Sequence, residues 1–244
     1  MDISVVIPAF NEANKMDFDV KSAASFFSEA CLRGEIIVVD DGSTDGTAAA
    51  ALGVPIPSSV KRKVIRLDTN SGKGFAVRAG VLDSEGEVVL FADSGTCIPY
   101  SDAVSYIDRI RAGNLDMALA SRRLEETFII QNRPLKRRIL SWFFHQAAVW
   151  IVGLPRWITD SQCGFKLYRG EIARQLFGEL ITTGYMFELE ILLRALQRGC
   201  RIEEFPVRWT CDLDTRMRPA SDAAGVWREL LQVRKIAKKK RMGT

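Results

Sequence analysis

Ser4-Val5-Val6-Ile7-Pro8-Ala9-Phe10-Asn11-Glu12 and Glu35-Ile36-Ile37-Val38-Val39-Asp40-Asp41-Gly42-Ser43-Thr44-Asp45-Gly46-Thr47 are the stretches that decide the fold. Each is an apolar, β-branched run that stops abruptly at polar and turn-forming residues. Strands buried on both faces of a parallel sheet read this way, and their C-terminal ends open onto a ligand crevice. Outward from these two runs, strands are predicted at 3–8, 35–39, 62–67, 86–92 and 116–120, and helices at 16–31, 44–52, 73–83 and 101–112. That alternation predicts βαβ units, and so an α/β fold with a mostly parallel central sheet flanked by helices. The second half is less regular. It is polar and basic over 121–138, helical over 139–152, a strand or turn over 156–168, helical over 170–179 and 186–199, a strand over 202–209, and an amphipathic helix over 221–239.

The 244 residues are 47% hydrophobic and 26% charged, an ordinary soluble balance that no repeat or linker divides. The formal charge of +4 names no partner by itself. The basic residues are unevenly placed, however, with one group from Arg122 to Arg138 and another from Arg234 to Arg241. Cys31, Cys97, Cys163, Cys200 and Cys211 are odd in number and free of any C-x-x-C pair, which predicts reduced, mostly buried thiols in a cytosol-like compartment. His145 is the sole histidine, which excludes a His-based zinc site and a Ser-His-Asp triad elsewhere in the chain. No signal-peptide pattern precedes the first strand. The apolar stretch from Ile139 to Leu154 is interrupted by His145 and Gln146 and is too short and polar for a membrane span. It reads as an amphipathic helix packed on the body, or as one in partial contact with a bilayer surface.

The strand ends carry chemistry. A nucleotide needs acceptors for its base and ribose, an opposing charge for its diphosphate, and closely approaching backbone where phosphates sit. Asn11 and Glu12 follow the first strand, Asp40 and Asp41 follow the second, and Asn70-x-Gly72-Lys73-Gly74 opens a helix whose amides and lysine suit an anion. Each piece has a plainer reading: Gly-Lys-Gly occurs in turns, the paired acids suit the start of a helix, and Glu12 suits a helix dipole.

Taken together, Pro8-Ala9-Phe10-Asn11-Glu12, Val39-Asp40-Asp41-Gly42-Ser43-x-Asp45-Gly46-Thr47 and Asn70-x-Gly72-Lys73-Gly74 resemble the nucleotide-sugar half of family 2 glycosyltransferases with the GT-A fold. Later blocks continue the likeness: Ala120-Ser121-Arg122, Asp160-Ser161-Gln162-Cys163-Gly164-Phe165-Lys166 and Gly184-Tyr185-Met186-Phe187-Glu188-Leu189-Glu190. These are similar to the dolichyl-phosphate sugar synthases, and the Asp-x-Gln-Cys-Gly-Phe-Lys block is nearest to the β-glucosyltransferase branch. The resemblance implies a GT-A domain over 1–220, with a nucleotide-sugar half to about 120 and an acceptor half beyond it. Residues 221–244 would form an appended amphipathic helix and basic tail.

The activity implied is inverting transfer of a hexose from a nucleoside diphosphate sugar, UDP-glucose before GDP-mannose, to a polyprenyl or dolichyl phosphate. Such an acceptor is already anionic and needs cations to hold it more than a base to activate it. By the resemblance, Pro8, Ala9, Phe10, Asn11, Glu12, Asp40, Asp41, Gly42, Ser43, Gly72, Lys73, Asp93 and Ser94 would line the donor site. Ser121, Arg122, Arg133 and Arg137, with Lys136 and Arg138, would hold the acceptor phosphate, the loop cations having a solvated basic surface as their plainer reading. Asp93, Arg122, Asp160 and Gln162 would be catalytic, supported by Glu188 and Glu190 and by Arg216 and Arg218 in a closing loop.

The metal motif departs from the family pattern. Where relatives carry Asp-x-Asp, this chain has Phe91-Ala92-Asp93-Ser94-Gly95-Thr96, and in either register one carboxylate is missing. Mg²⁺ binds through one or two carboxylates plus substrate phosphates, so Asp93 is expected to hold Mg²⁺ or Mn²⁺ with weakened affinity.

Val226, Trp227, Leu230, Leu231 and Ile236 recur at helical spacing beside Arg228, Arg234 and Lys235. That pattern describes a peripheral anchor on an anionic membrane, or a helix that closes the core ahead of a charged tail. The expected location is cytoplasmic, with peripheral contact at the cytoplasmic membrane face. No obligate nucleic acid is expected. Two other readings stand beside the leading one. One is the same donor chemistry on a different lipid, a glycan, a protein or a modified nucleic acid, and the other is a non-catalytic nucleotide-sugar-binding module.

Overall fold

A computed structural model describes residues 1–131, 149–211 and 219–241, the last with side chains from 225 to 237. In order, the elements are β1 (Ile3–Ala9), α1 (Ala13–Glu29), β2 (Gly34–Asp40), α2 (Thr47–Gly53), β3 (Val60–Arg66), α3 (Lys73–Asp83) and β4 (Val88–Ala92). A 3-10 turn (Tyr100–Ala103), α4 (Val104–Arg111), β5 (Met117–Ser121), β6 (Phe128–Gln131) and a helical turn at 149–152 (α5) follow. The chain then forms β7 (Phe165–Arg169), α6 (Gly170–Gly178), α7 (Phe187–Gln197), β8 (Ile202–Pro206), β9 (Arg208–Thr210) and α8 (Pro219–Arg241).

The main sheet runs β3-β2-β1-β4-β7-β5-β8, and β6 pairs with β9 in a separate ribbon. β1 pairs in parallel with β2 and β4, β2 with β3, and β5 with β8, while β7 lies antiparallel between β4 and β5. The sheet is therefore mixed, with one reversed strand. That strand follows the turn at 160–164, which already lies at the crevice edge, so the chain can only run back across the sheet. As a result the C-terminal ends of β1, β2, β4 and β5 and the start of β7 share one edge, and β1 sits where the strand order reverses.

Alternation along the strands builds a core on each face of the sheet. Ile3, Val5, Ile7, Ile36, Val38 and Leu90 pack toward α1 with Met16, Val20 and Phe27. Val6, Ile37, Val39, Val89 and Phe91 pack toward α3 and α7 with Val77, Phe187 and Leu189. Burial on both faces explains why these strands read as unbroken apolar runs.

Several predicted boundaries move for identifiable reasons. α2 begins at Thr47 rather than 44, because Ser43 and Thr44 bond to the first loop: Asn11 N–H donates to Ser43 Oγ and Thr44 N–H to Asn11 Oδ1, each at 2.9 Å. α1 begins at Ala13 rather than 16. The strand expected over 202–209 divides into β8 and β9, because Pro206 lacks an N–H and Val207 turns to the ribbon, where its carbonyl accepts Phe128 N–H at 3.0 Å. β6 was not foreseen within the polar stretch. Of the five cysteines, all of them free thiols, only Cys163 and Cys211 are buried, and Cys31 is exposed, which corrects the expectation of mostly buried thiols. α8 seats Leu230 and Val233 in the core, yet leaves Trp227 56% and Leu231 48% exposed. Among the described residues no helix is long and apolar enough to cross a membrane.

Candidate active site

The shared edge gathers the polar strand ends into one crevice. After β2, Asp40 is buried; its Oδ1 accepts the Ser43 N–H at 2.9 Å, while among the described residues its buried Oδ2 meets no hydrogen-bond donor, Arg66 Nε standing 3.8 Å away. A buried acceptor left this way costs free energy until a ligand donor meets it. Asp41 is occupied by the scaffold instead. Its oxygens accept Ser71 N–H at 2.7 Å and Gly72 N–H at 3.0 Å, fixing the loop that leads into α3. Gly42 makes this approach possible: at φ +70° its Cβ position lies 2.4 Å from the Thr69 backbone. Glu12 is buried and pairs with Lys15 at 3.1 Å. Pro8 and Ala9 lie in buried β1 beside Val39 and Asp40, with Phe10 at the strand's end.

Lys73 opens α3 and points at the end of β4. Its Nζ lies 2.8 Å from Asp93 Oδ1 and 3.1 Å from Oδ2, with Glu188 Oε1 at 3.5 Å, above the rings of Phe91 and Phe187. Glu188 also pairs closely with Lys166, which is wholly buried. The result is a row of alternating charge: Asp93, Lys73, Glu188, Lys166. Burial works to lower the Lys73 pKa, but Asp93 and Glu188 outweigh it and hold the ammonium above its usual range. Burial likewise opposes ionisation of Glu188, and Lys166 and Lys73 outweigh it, so the carboxyl stays below its ordinary value. Gly164 completes the corner. Its carbonyl accepts Asp93 N–H at 2.8 Å, and a Cβ on it would stand 1.9 Å from Asp93 Oδ2.

Across the crevice, beyond β7, stands a second ion pair. Arg122 Nε donates to Asp160 Oδ2 at 2.6 Å and Nη2 to Oδ1 at 2.7 Å, while Nη2 also donates to the Gln162 carbonyl at 2.8 Å. Burial disfavours both charges, but each holds the other ionised, so the Asp160 carboxyl lies well below the usual range and the Arg122 guanidinium above it. Arg122 also faces the Trp209 ring at 5.9 Å. Among the described residues, Gln162 Nε2 and the adjacent Ser161 Oγ are also buried without a hydrogen-bond partner on the same edge. Burial pushes the Cys163 thiol up to about 12, which keeps it inert.

Not every expected site residue faces the crevice. Ser94 Oγ turns to Asp19 at 2.8 Å, and Ser121 Oγ is buried against Thr159 Oγ1 at 2.7 Å. Glu190 is wholly buried and holds Ile181 and Thr182 N–H together with Arg194. Arg133, Lys136, Arg137, Arg138, Arg216 and Arg218 lie outside the described residues.

Sequence reasoning missed three supporting carboxylates. Asp19 accepts Ser94 Oγ, Gly95 N–H and Thr96 Oγ1, holding a loop in which both Gly95 and Thr96 have positive φ. Glu204 of β8 accepts Thr159 and Asp160 N–H at 2.9 and 2.8 Å, which sets the Asp160 turn. Glu229 of α8 is the third. Only Asp19 left a signal, as an acid on the apolar stripe of α1 beside Met16 and Val20.

A divalent ion is tested by the donors present. At the end of β4, Asp19 and Glu188 are consumed by their partners, leaving the half-exposed Asp93, itself shared with Lys73. Among the described residues no group of three His, Cys, Asp or Glu side chains could cage a metal. This donor set fits an ion held chiefly by a diphosphate and touched by one carboxylate.

The family profile described as "Glycosyl transferase family 2" matches residues 4–177. The dolichyl-phosphate beta-glucosyltransferase of Saccharomyces cerevisiae is 34% identical over 248 residues, spanning 95% of this chain and 74% of that protein. The Homo sapiens protein of the same name is 32% identical over 247 residues, again 95% of this chain and 74% of the relative. Among solved structures, glucosyl-3-phosphoglycerate synthase from Mycobacterium tuberculosis with Mn²⁺, UDP-glucose and phosphoglyceric acid superposes with a TM-score of 0.65 at 21% identity. That match covers 96% of this chain and 79% of the other, and it establishes the likeness of fold.

Proposed function

The chain belongs to glycosyl transferase family 2 and is a glycosyltransferase of GT-A fold, and from that premise we propose that it transfers glucose from UDP-glucose to a polyprenyl phosphate such as dolichyl phosphate. The observation that carries this is the pairing of two unsatisfied buried polar atoms on one sheet edge. Asp40 Oδ2 offers an acceptor on the β2 side, and Gln162 Nε2 offers a donor on the β7 side. A donor nucleotide spans the first and an acceptor phosphate or sugar hydroxyl reaches the second. The relatives' names supply glucose and dolichyl phosphate; they carry no mannose, so GDP-mannose is not retained as a donor.

An acceptor phosphate oxygen attacks the anomeric carbon from the face opposite the leaving group. The bond from that carbon to the diphosphate breaks, UDP departs with its electron pair, and the configuration inverts. No base is needed, because the nucleophile arrives deprotonated. Lys73, kept charged by Asp93 and Glu188, sits where negative charge grows on the leaving diphosphate. Asp93 would hold Mg²⁺ or Mn²⁺ together with the donor diphosphate, and such an ion would supply further charge stabilisation for the leaving group. Arg122, oriented by Asp160, faces the acceptor side.

A polyprenyl acceptor lies in a bilayer, so on this reading the enzyme works at a membrane surface. Exposed Phe128 and Ile130 of β6 support this. Their strand is tied to the site by Thr127 Oγ1, which donates to the Ser121 carbonyl at 2.6 Å. A thermal-shift panel of UDP- and GDP-sugars with and without Mn²⁺, followed by transfer to detergent-solubilised polyprenyl phosphate, tests the reading. Stabilisation by UDP-glucose and a glucosylated lipid product are expected. Equal shifts from every nucleotide, or no lipid product, would overturn it.

A further inference from the structure

The donor-phosphate loop rests on a second loop, and that second loop is held by a carboxylate from the far end of the chain. A Cβ on Gly72 would stand 2.5 Å from the Thr183 carbonyl, and one on Gly74 would stand 2.9 Å from that of Gly184. Phe75 N–H donates to Thr183 O at 3.1 Å. Loop 181–186 is thus in direct contact with the turn that presents Lys73. On one side Glu190 fixes it through Ile181 N–H at 3.0 Å and Thr182 N–H at 2.8 Å. On the other side Glu229 of α8 accepts three N–H groups: Thr183 at 3.1 Å, Gly184 at 2.5 Å and Met186 at 3.1 Å.

Met186 is the N-cap of α7, and Thr183 and Gly184 lie in the loop just before it, where a negative charge is favoured by the helix dipole. A carboxylate receiving these three N–H groups makes charge-assisted bonds, stronger than neutral ones. Beside the contact, a cleft of about 520 Å³ is lined by Thr183 and Tyr185 of the loop and by Val226, Arg228 and Gln232 of α8. Leu230 and Val233 pack α8 into the core, and Glu229 ties the helix to this loop. Two routes lead from Glu229 to Lys73. One passes through the Thr183 and Gly184 carbonyls to Gly72, Gly74 and Phe75. The other passes through Met186 and the first turn of α7 to Glu188, the partner of Lys73 Nζ.

We propose that Glu229 is a positioning residue for the donor-phosphate site, so that α8 must be seated for Lys73 and the Gly72-Lys73-Gly74 backbone to take their binding arrangement. The proposal deepens the donor reading above and rests on it for the identity of the ligand. Glu229→Gln keeps one acceptor oxygen and sets an amide NH₂ against the Met186 N–H, and Glu229→Asp keeps the charge at shorter reach.

The test is amide hydrogen exchange on the full chain, wild type and both variants, together with calorimetric binding of UDP. Glu229→Gln is expected to speed exchange over 70–76 and 181–186 while β1, β2 and β4 keep their protection, and to weaken UDP binding about tenfold. Glu229→Asp is expected to recover part of both effects, and it serves as the readout if the glutamine variant does not fold. Unchanged exchange over 70–76, or loss of protection spread evenly over the central strands, would overturn the proposal. If wild type fails to bind UDP, the donor reading falls, whereas the exchange result still decides the coupling.

Discussion

Arg122 and Asp160 meet in a two-point ion pair, Nε to Oδ2 at 2.6 Å and Nη2 to Oδ1 at 2.7 Å, with both side chains largely removed from solvent. The Arg122 guanidinium is therefore not a loose cation. It is a planar donor held in one orientation by a carboxylate that Glu204 in turn positions through its backbone.

Breaking that pair from one side should be costly. Asp160→Ala strands a buried guanidinium and is expected to lower stability by about 3–5 kcal/mol. The double variant Arg122→Met/Asp160→Leu is expected to recover much of that loss without recovering transfer. Urea unfolding of the single and double variants checks the first part, and an assay of lipid glucosylation checks the second.

Acid should release the same pair. The Asp160 carboxyl is depressed by Arg122 in the folded chain, so its contribution to stability is present above the unfolded value of roughly 3.9. It is lost as pH falls below that value toward the folded one. Glu188, depressed by Lys166 and Lys73, adds to the same slope. Urea midpoints measured from pH 7 downward should fall steeply in wild type and less steeply in Asp160→Asn; parallel curves would contradict the assignment.

Lys73 and Asp93 should separate charge from metal. Lys73→Met is expected to weaken UDP-glucose binding by about 10- to 100-fold, the range for a lost bond to a charged group, with or without Mn²⁺. Asp93→Ala is expected to abolish only the increment in binding that Mn²⁺ confers. Full metal-dependent turnover by Asp93→Ala at low Mg²⁺ or Mn²⁺ would refute the role given to that carboxylate.

Gly164→Ala places a methyl group 1.9 Å from Asp93 Oδ2. The carboxylate must swing away from Lys73, and a destabilisation of about 1–3 kcal/mol is expected. Donor affinity should fall with it. Thermal unfolding with and without UDP-glucose measures both effects.

Membrane contact should depend on the exposed apolar residues. Phe128 is 66% and Ile130 59% exposed on β6. The Phe128→Ser/Ile130→Ser double variant is expected to reduce flotation with anionic liposomes while leaving UDP binding intact. Removal of 221–244 examines α8 separately, and flotation unchanged by either alteration would remove the peripheral-contact reading.

Much of the fold was legible because burial on both sheet faces writes itself as continuous β-branched runs, as in Ile36-Ile37-Val38-Val39. The crevice residues Asp40, Lys73 and Asp93 were legible because polar groups cut those runs off abruptly. β6 was not legible, since four exposed residues carry no burial pattern. Nor was the reversal of β7, because strand direction depends on where the preceding loop leaves the chain.

By itself, the sequence determined the alternation of strands and helices, the polar strand ends, the resemblance to a nucleotide-sugar enzyme and the missing second carboxylate at β4. Periodicity and composition act locally, so they survive in one dimension. Only the tertiary structure decided which charges oppose one another: that Asp41 serves a backbone loop while Asp40 keeps an open oxygen, and that Lys73 is shared by Asp93 and Glu188. Likewise only the fold set Glu229, 45 residues from Gly184 in the chain, against the loop beneath the donor site. Electrostatic and hydrogen-bond energies depend on distance in space, which residue spacing along the chain does not encode.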